Sequence, residues 1–167
     1  MAESLPISVC VVETPNGTQH YVTVVPHHVL ITEGLSPEAI VGVLSDNWQP
    51  SAPITPDVLA CNTTFVDFLH DVIARHAPTQ PGFQAEAQRL GEGWVWIIDQ
   101  RTPSPQGVIP PEDVLGGLQI KAGSVVPGSY MRGPKHLILS ERGFMQLSPG
   151  LRQCLLEELA ARAKAKE

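Results

Sequence analysis

The spacing of apolar residues predicts one strongly amphipathic helix and one buried strand. Between residues 62 and 76 the apolar positions recur every three or four residues and form one stripe, made of Phe65, Phe68, Leu69, Val72 and Ile73. Residues 94–98 (Trp-Val-Trp-Ile-Ile) form a continuous apolar run that ends at Asp99, which is typical of a strand covered on both faces. We expect the helical stripe to pack against the sheet that contains this strand.

Turn residues divide the first third of the chain into shorter elements. The sequence Pro-Asn-Gly at 15–17 separates two β-rich runs, 7–12 and 19–25, and predicts a hairpin, and residues 29–32 predict a third short strand. A hydroxyl residue followed by proline is typical of a helix N-terminus. This pattern, twice followed by an acid, predicts helix starts at 36–38, 55–57 and 148–149.

The second half of the chain alternates short strands with tight turns. Two further hairpins are predicted, one pairing 118–121 with 124–126 around Ala-Gly and one pairing 136–139 with 144–147 around Glu-Arg-Gly. Apolar stripes predict a weaker helix over 83–90 and a C-terminal helix over 149–164.

Together these elements predict an α+β protein, in which a mainly antiparallel sheet is packed by three or four helices. A length of 167 residues suits a single domain, 1–167. We expect this domain to contain four consecutive segments: an N-terminal β-hairpin at 5–33, a helical middle at 36–90, a strand with a proline-rich crossing and β-hairpins at 94–147, and the C-terminal helix at 149–164.

The proline-rich crossing, residues 101–113, is the least regular part of this scheme. The chain has 16 prolines, near twice the usual share of about 5%. Irregular segments of this length in compact domains are usually functional or disordered. We expect an ordered segment, because it has apolar residues to bury: Val108, Ile109, Val114 and Leu115. Rigid prolines also lower the cost of ordering a loop that is used for recognition.

Charge is distributed unevenly along the chain. The net charge of −6 argues against a surface dedicated to nucleic acid. Residues 1–120 hold 13 acidic and 3 basic side chains, whereas residues 121–167 hold 4 acidic and 8 basic ones. We therefore expect a positive region in the C-terminal hairpins of an otherwise negative protein.

Cysteine and histidine usage predicts neither disulfides nor a metal site. Three scattered cysteines without Cys-x-x-Cys spacing indicate buried, reduced thiols and a cytoplasmic location. The chain shows no secretory signal and no apolar run long enough to span a membrane. His27 and His28 are adjacent on an expected strand and point to opposite faces, so they are poorly placed to share an ion. No glycine pattern indicates a phosphate-containing cofactor, and we expect none.

Asp99, Glu112 and Asp113 are the best candidates for acid–base chemistry. Asp99 ends the expected buried strand, and neighbouring carboxylates can have their pKa values driven apart. Each residue also has a structural explanation, since Asp99 could pair with Arg101 and the other two suit a helix N-terminus. No nucleophile motif accompanies them. A small hydrolase-like enzyme using Asp99 with Glu112 or Asp113 is therefore an alternative hypothesis.

The leading hypothesis is a non-catalytic interaction or accessory module. Arginine, tyrosine and methionine are enriched in protein interfaces. We expect binding of another protein, or of a second copy of this chain, through the proline-rich crossing and the basic hairpins beside it, with Arg101, Tyr130, Met131, Arg132, Lys135, His136 and Arg142 as contact residues. A solvated edge protected by its charges is the plain alternative. Nucleic-acid binding is a further one, for which a single tyrosine is a thin stacking platform.

Overall fold

A computed structural model describes residues 5–25, 36–101 and 109–164 of the chain. Its N-terminal part forms a four-stranded antiparallel sheet in the order β1-β2-β3-β4. The strands are β1 (Ser8–Thr14), β2 (Gly17–Thr23), β3 (Ile40–Leu44) and β4 (Leu59–Cys61). The predicted hairpin at 15–17 is confirmed, with Thr14 opposite Gly17 and a φ of 120° at Gly17 that favours glycine. The strand expected at 29–32 lies outside the described residues.

The helix starts predicted at 36–38 and 55–57 are present only as short 3₁₀ turns and do not lead into α-helices. Each proline instead begins a single 3₁₀ turn, Pro37–Ala39 or Pro56–Val58, which leads directly into β3 or β4. Neither preceding hydroxyl caps the turn. The apolar residues that follow pair as strands, because the fixed φ of proline suits the start of a short turn as well as that of a helix. The segment expected as a helical middle, 36–90, therefore also contains two strands.

The described residues form three α-helices: α1 (Thr63–His76), α2 (Pro81–Leu90) and α3 (Pro149–Lys164). All three correspond to predicted helices, and the five apolar residues of the α1 stripe are buried. Asn62 caps α1 by accepting a hydrogen bond from the Thr64 N–H at 3.2 Å. Its side-chain amide also donates to the carbonyl groups of Pro37 and Ile40 and so fixes α1 to the first sheet.

α1 lies against α3, the 3₁₀ turn Pro37–Ala39 and β3, and α2 contacts the strand at 94–98. The expected packing of the α1 stripe against the sheet of this strand stays a prediction. α3 presents its own apolar stripe, Leu151, Leu155 and Leu159, each at most 1% exposed. At the far end of the pair, Glu158 receives two hydrogen bonds from the Arg75 guanidinium, at 2.8 and 2.6 Å, and contacts His76.

A second antiparallel sheet contains β5 (Gly93–Ile98), β6 (Val114–Lys121), β7 (Ser124–Val125) and β8 (Met131–Arg132). Both β7 and β8 pair with β6, on the side opposite β5. Ala122 and Gly123 form the predicted turn, with φ values of 52° and 74°. The last predicted hairpin is shorter than expected and consists of β9 (Leu139–Ser140) and β10 (Gly143–Phe144).

The predicted mixture of helices and antiparallel strands is confirmed, although the strands of the described residues are divided among three sheets. One contiguous cluster of buried apolar residues draws on both four-stranded sheets and all three helices. Within the described part of the chain, no helix combines the length and the apolar character that crossing a membrane requires.

Candidate functional site

Arg101 is the centre of a buried ionic cluster, which we call the Arg101 network and which comprises Asp99, Arg101, Asp113, His136 and Arg142. The Arg101 side chain is 1% exposed, and its Nε donates to Asp113 Oδ1 at 2.7 Å. Its two terminal nitrogens donate, at 2.7 to 3.3 Å, to the backbone carbonyl groups of Glu112, Leu137, Ile138 and Gly143. These five hydrogen bonds use every N–H that a guanidinium offers.

Asp99 is equally well satisfied. Its Oδ1 accepts the backbone N–H groups of Arg101, at 3.1 Å, and of Gln146, at 2.9 Å. Its Oδ2 lies 2.9 Å from His136 Nε2 and 3.6 Å from Arg101 Nε. Asp99 is fully buried, and the His136 side chain is 2% exposed. Both carboxylate oxygens of Asp99 are therefore already engaged by other groups of the chain. Neither is free to accept a proton from a substrate.

The network joins both ends of the proline-rich crossing. The Asp99 N–H donates to the Asp113 carbonyl at 2.7 Å, and Arg142 Nη1 donates to Asp113 Oδ2 at 3.1 Å. Asp99 and Asp113 are thus brought together, as the acid–base hypothesis required, but both are fully buried. Glu112 lies apart from them and lines an open cleft of about 940 Å³ with Asp57, Ser140 and Glu141.

A second buried polar contact joins α1 to the second sheet. Tyr130 donates its hydroxyl proton to the Leu115 carbonyl at 3.2 Å and accepts from His70 Nδ1 at 2.7 Å. The pKa of His70 is lowered to about 4, first by burial and then by the nearby Arg132 and His136, whereas Asp67 acts in the opposite direction. Burial also raises the pKa of Tyr130. His70 therefore stays neutral and Tyr130 protonated at neutral pH, and the pair acts as a fixed tie.

The seven expected contact residues are distributed between the interior and the surface. Arg101 and His136 belong to the buried network, and Tyr130 is tied to His70. Met131 and Lys135 are exposed. Arg132 is also exposed, and its Nη1 lies 3.0 Å from Asp67 Oδ1. Arg142 has a half-exposed side chain whose Nη1 reaches the buried Asp113.

Trp94 and Trp96 are exposed by 37% and 56%, so the expectation that their strand is covered on both faces is wrong. Val95 and Ile97 face the core, whereas the two indole rings stack on the outer face, with centroids 5.8 Å apart and planes 13° apart. Gly117, opposite Trp96, makes room for them, because a Cβ there would lie 2.7 Å from the Trp96 ring. Met131 follows on the same face, directly opposite Gly117, and is 62% exposed.

Shallow depressions border this tryptophan pair on two sides. Along the edge of β5, a groove of about 750 Å³ has Phe83 and Leu90 of α2 as its opposite wall. On the other side of Trp96, Ile109, Pro134 and Lys135 line a hollow of about 280 Å³. We call the whole the tryptophan surface, comprising Phe83, Leu90, Trp94, Trp96, Ile109, Met131, Pro134 and Lys135.

The tryptophan surface was missed because continuous apolar runs usually indicate complete burial. Two signals were available in the sequence. Trp94 and Trp96 are two residues apart and must share one face of a strand. The pair Gly116-Gly117 provides a flat strand over which aromatic rings can lie.

Other chemical groups are sparse in the described residues. No three His, Cys, Asp or Glu side chains there are placed to hold a metal ion, and His27 and His28 lie outside these residues. All three cysteines are free, and Cys61 is exposed, contrary to the expectation of buried thiols. Comparisons with protein-family models, curated proteins and solved structures give no match to this chain.

Proposed function

We propose that this protein is a non-catalytic interaction module that binds another protein through the tryptophan surface and the adjoining basic residues Arg132 and Lys135. The observation that carries the proposal is the stacked, exposed pair Trp94 and Trp96. A large aromatic group in contact with water is unfavourable unless a partner covers it. Tryptophan is also among the residues that contribute most to binding energy in protein interfaces.

The described C-terminal end of the crossing supports the same proposal, while residues 102–108 lie outside the described part of the chain. Ile109 and Pro111, near its C-terminal end, line the hollow beside Trp96, together with Pro134 and Lys135 of the basic hairpin region. The two parts of the chain expected to bind a partner therefore adjoin one another at the tryptophan surface. The fixed base of the crossing, held by the Arg101 network, lowers the entropy lost when a partner binds.

The catalytic and nucleic-acid alternatives receive less support. Asp99 and Asp113 are inaccessible and fully engaged with Arg101 and its neighbours. Among the basic candidates, Arg101 and His136 are buried and Arg132 lies against Asp67, so they do not form a continuous track for phosphates.

The proposal includes a single domain and a cytoplasmic location. The contiguous apolar core that spans both large sheets supports one domain. Three free cysteines, one of them exposed, are compatible with a reducing compartment.

The proposal is tested by substituting both tryptophans with threonine, which keeps the preference for strand structure but removes the rings. Partners are recovered with the wild-type protein and identified by mass spectrometry, and the affinity of each purified partner is then measured by calorimetry. We expect the double variant Trp94→Thr, Trp96→Thr to bind at least about thirtyfold more weakly. Val11→Thr removes an exposed apolar group from β1, 58% exposed, and is the matched control. Equal affinity of the double variant and the wild type would refute the proposal.

A further inference from the structure

The backbone of β5 has unused hydrogen-bonding groups beside the two tryptophans. Among the described residues, β5 pairs only with β6, where Trp94 lies opposite Gln119 and Trp96 opposite Gly117. The Gln119 N–H donates to Ser129 Oγ at 3.1 Å, and its carbonyl accepts from the Val126 N–H at 2.8 Å. Both groups of Gln119 thus point away from β5, so Trp94 and Gln119 form a non-hydrogen-bonded pair.

This pairing fixes the direction of the tryptophan backbone groups. In an antiparallel ladder the residues of a non-hydrogen-bonded pair direct their N–H and C=O groups away from each other, and alternate pairs behave alike. The N–H and C=O groups of Trp94 and Trp96 therefore point to the outer edge, where no described residue bonds to them. Further along the chain, the Gln100 N–H donates to the Gln146 carbonyl at 2.8 Å, so the unpaired part of the edge ends before Gln100.

The open edge forms one side of the groove whose other wall is α2. Phe83 and Leu90 face it from the helix, and the nearby Glu86 and Arg89 pair with each other at 2.7 Å. A strand edge beside a helix, with apolar side chains on both walls, is the arrangement in which a domain accepts an extended peptide as an additional strand.

Charge indicates the chemistry of the segment. Lys135 lies beside Trp96 in the hollow at the end of the surface and has no ion-pair partner among the described residues. An acidic side chain near the end of the bound segment would meet it there, once that end passes beyond Trp96.

The exposed area favours a short segment over a second copy of the chain. With 37% and 56% exposure, the two indole rings offer roughly 200 Å². A stable dimer buries about 800 Å² on each partner. A second copy would also bring a further net charge of −6.

We infer that the tryptophan surface binds an extended segment of a partner protein, which pairs with the outer edge of β5 as an added strand and whose end passes beyond Trp96 to place an acidic residue beside Lys135. This inference rests on the proposed function and specifies how the partner binds. The apolar side chains of the bound segment, at alternate positions, lie against Trp94, Trp96 and the α2 wall.

The probe is a displayed library of random twelve-residue peptides, selected on the wild-type protein and counter-selected on the Trp94→Thr, Trp96→Thr variant. We expect enriched sequences to carry apolar residues at alternate positions and Asp or Glu near one end. In a synthetic copy of the best binder, each residue is N-methylated in turn. Methylation should weaken binding at least about tenfold at every second position, and less than about threefold between, because a strand donates to its neighbour from alternate residues.

Reversing the charge of Lys135 tests the orientation of the bound peptide. Lys135→Glu should weaken binding of the acidic peptide about three- to tenfold, and replacing the peptide's acid by lysine should restore it. Uniform tolerance of N-methylation with retained dependence on the tryptophans would overturn the added strand but leave the proposed function standing. Loss of tryptophan dependence for purified partners would refute the proposed function itself. Failure to enrich any sequence, or a wild-type dimer that the tryptophan substitutions dissociate, would overturn the inference.

Discussion

The Arg101 network and the tryptophan surface both depart from the usual distribution of side chains, because the first buries charged groups and the second exposes large apolar ones. The network buries an arginine and two aspartates, and every N–H of the arginine has an acceptor within 3.3 Å. The surface exposes two stacked tryptophans to water. The buried charges are satisfied by groups of the same chain, whereas the two rings remain 37% and 56% exposed to water, so the tryptophan surface is the better candidate for binding a partner.

Both regions depend on the alternation of side chains along one strand and its extension. Ile97 and Asp99 point inward, whereas Trp96 points outward. The inward carboxylate is stabilised by Arg101 and His136, and the outward ring by contact with Trp94 and Gly117. A one-residue shift of register would bury the rings and expose the acid, so β6 and the network together specify which face carries the surface.

The largest effect is expected from removing the centre of the network. Arg101→Met keeps much of the side-chain volume but removes the donor to Asp113 Oδ1 and to four backbone carbonyl groups, and it removes the positive charge beside Asp99. We expect a loss of about 3–5 kcal/mol in the free energy of unfolding, measured by urea denaturation.

Arg89→Met is the control for this change, since Arg89 pairs with Glu86 on the exposed surface of α2. It should cost less than about 1 kcal/mol. Similar small losses for both variants would show that the network does not stabilise the fold, and the distinction between the two regions would fail.

The next largest effect is expected from acidification, which should weaken the contact of His70 with Tyr130 that joins α1 to the second sheet. The pKa of His70 is about 4 in the folded protein, against about 6.5 in an unfolded chain. Between these values the unfolded state binds the proton more readily, so the contribution of His70 is complete above pH 6.5 and is lost as the pH falls to about 4. We expect His70 to account for about 2–3 kcal/mol of the decrease in the free energy of unfolding between pH 7 and pH 4.

His70→Gln isolates the effect, because glutamine can donate to Tyr130 but does not titrate in this range. Unfolding is measured by denaturant titration between pH 4 and 7. The variant should lose less stability than the wild type over this interval, whereas parallel curves would contradict the assignment.

Local sequence signals predicted the elements that depend on neighbouring residues. The hairpin at 15–17, the turn at 122–123 and the α1 stripe are set by φ preferences and by helical spacing, which act within a few residues. The proline motifs at 36–38 and 55–57 failed because the same signal begins a 3₁₀ turn and an α-helix. The contact between α1 and α3 also could not be inferred, because both α3 and the sheets offered α1 apolar surface.

The two functional regions required information about distant residues. A pairing of Asp99 with Arg101 was anticipated, but Asp113 is the closer partner, and the carbonyl acceptors come from as far as Gly143. The exposure of Trp96 depends on Gly117 lying opposite it. Such relations arise only once the strands have paired.

The neighbouring residues Gly116 and Gly117 face opposite sides of the sheet, Gly116 the covered side and Gly117 the tryptophan surface. A Cβ at Gly116 would lie 2.6 Å from the Met131 carbonyl oxygen and 2.5 Å from the Tyr130 ring, whereas a Cβ at Gly117 would meet the exposed Trp96 ring. Gly116→Ala should cost about 1–3 kcal/mol in unfolding free energy. Gly117→Ala should cost less but change the near-ultraviolet circular dichroism of the stacked rings. Equal costs with unchanged spectra would show that the rings do not depend on Gly117.

The smallest effect on stability is expected from reversing the basic residues beside the tryptophan surface. Arg132 pairs with Asp67 through side chains that are 49% and 69% exposed, and Lys135 is exposed. The double variant Arg132→Glu, Lys135→Glu should therefore change the free energy of unfolding by less than about 1 kcal/mol.

The same variant should have a clear effect on binding. If the partner is acidic, the double reversal slows association and weakens its salt dependence, both measurable by stopped-flow kinetics at several ionic strengths. Self-association is measured in parallel by sedimentation, because an acidic patch on a second copy would respond in the same way. Unchanged association with every partner and unchanged self-association would reduce these two residues to a solvated edge. The tryptophans would then have to provide the binding energy without electrostatic help, which their own substitutions test separately.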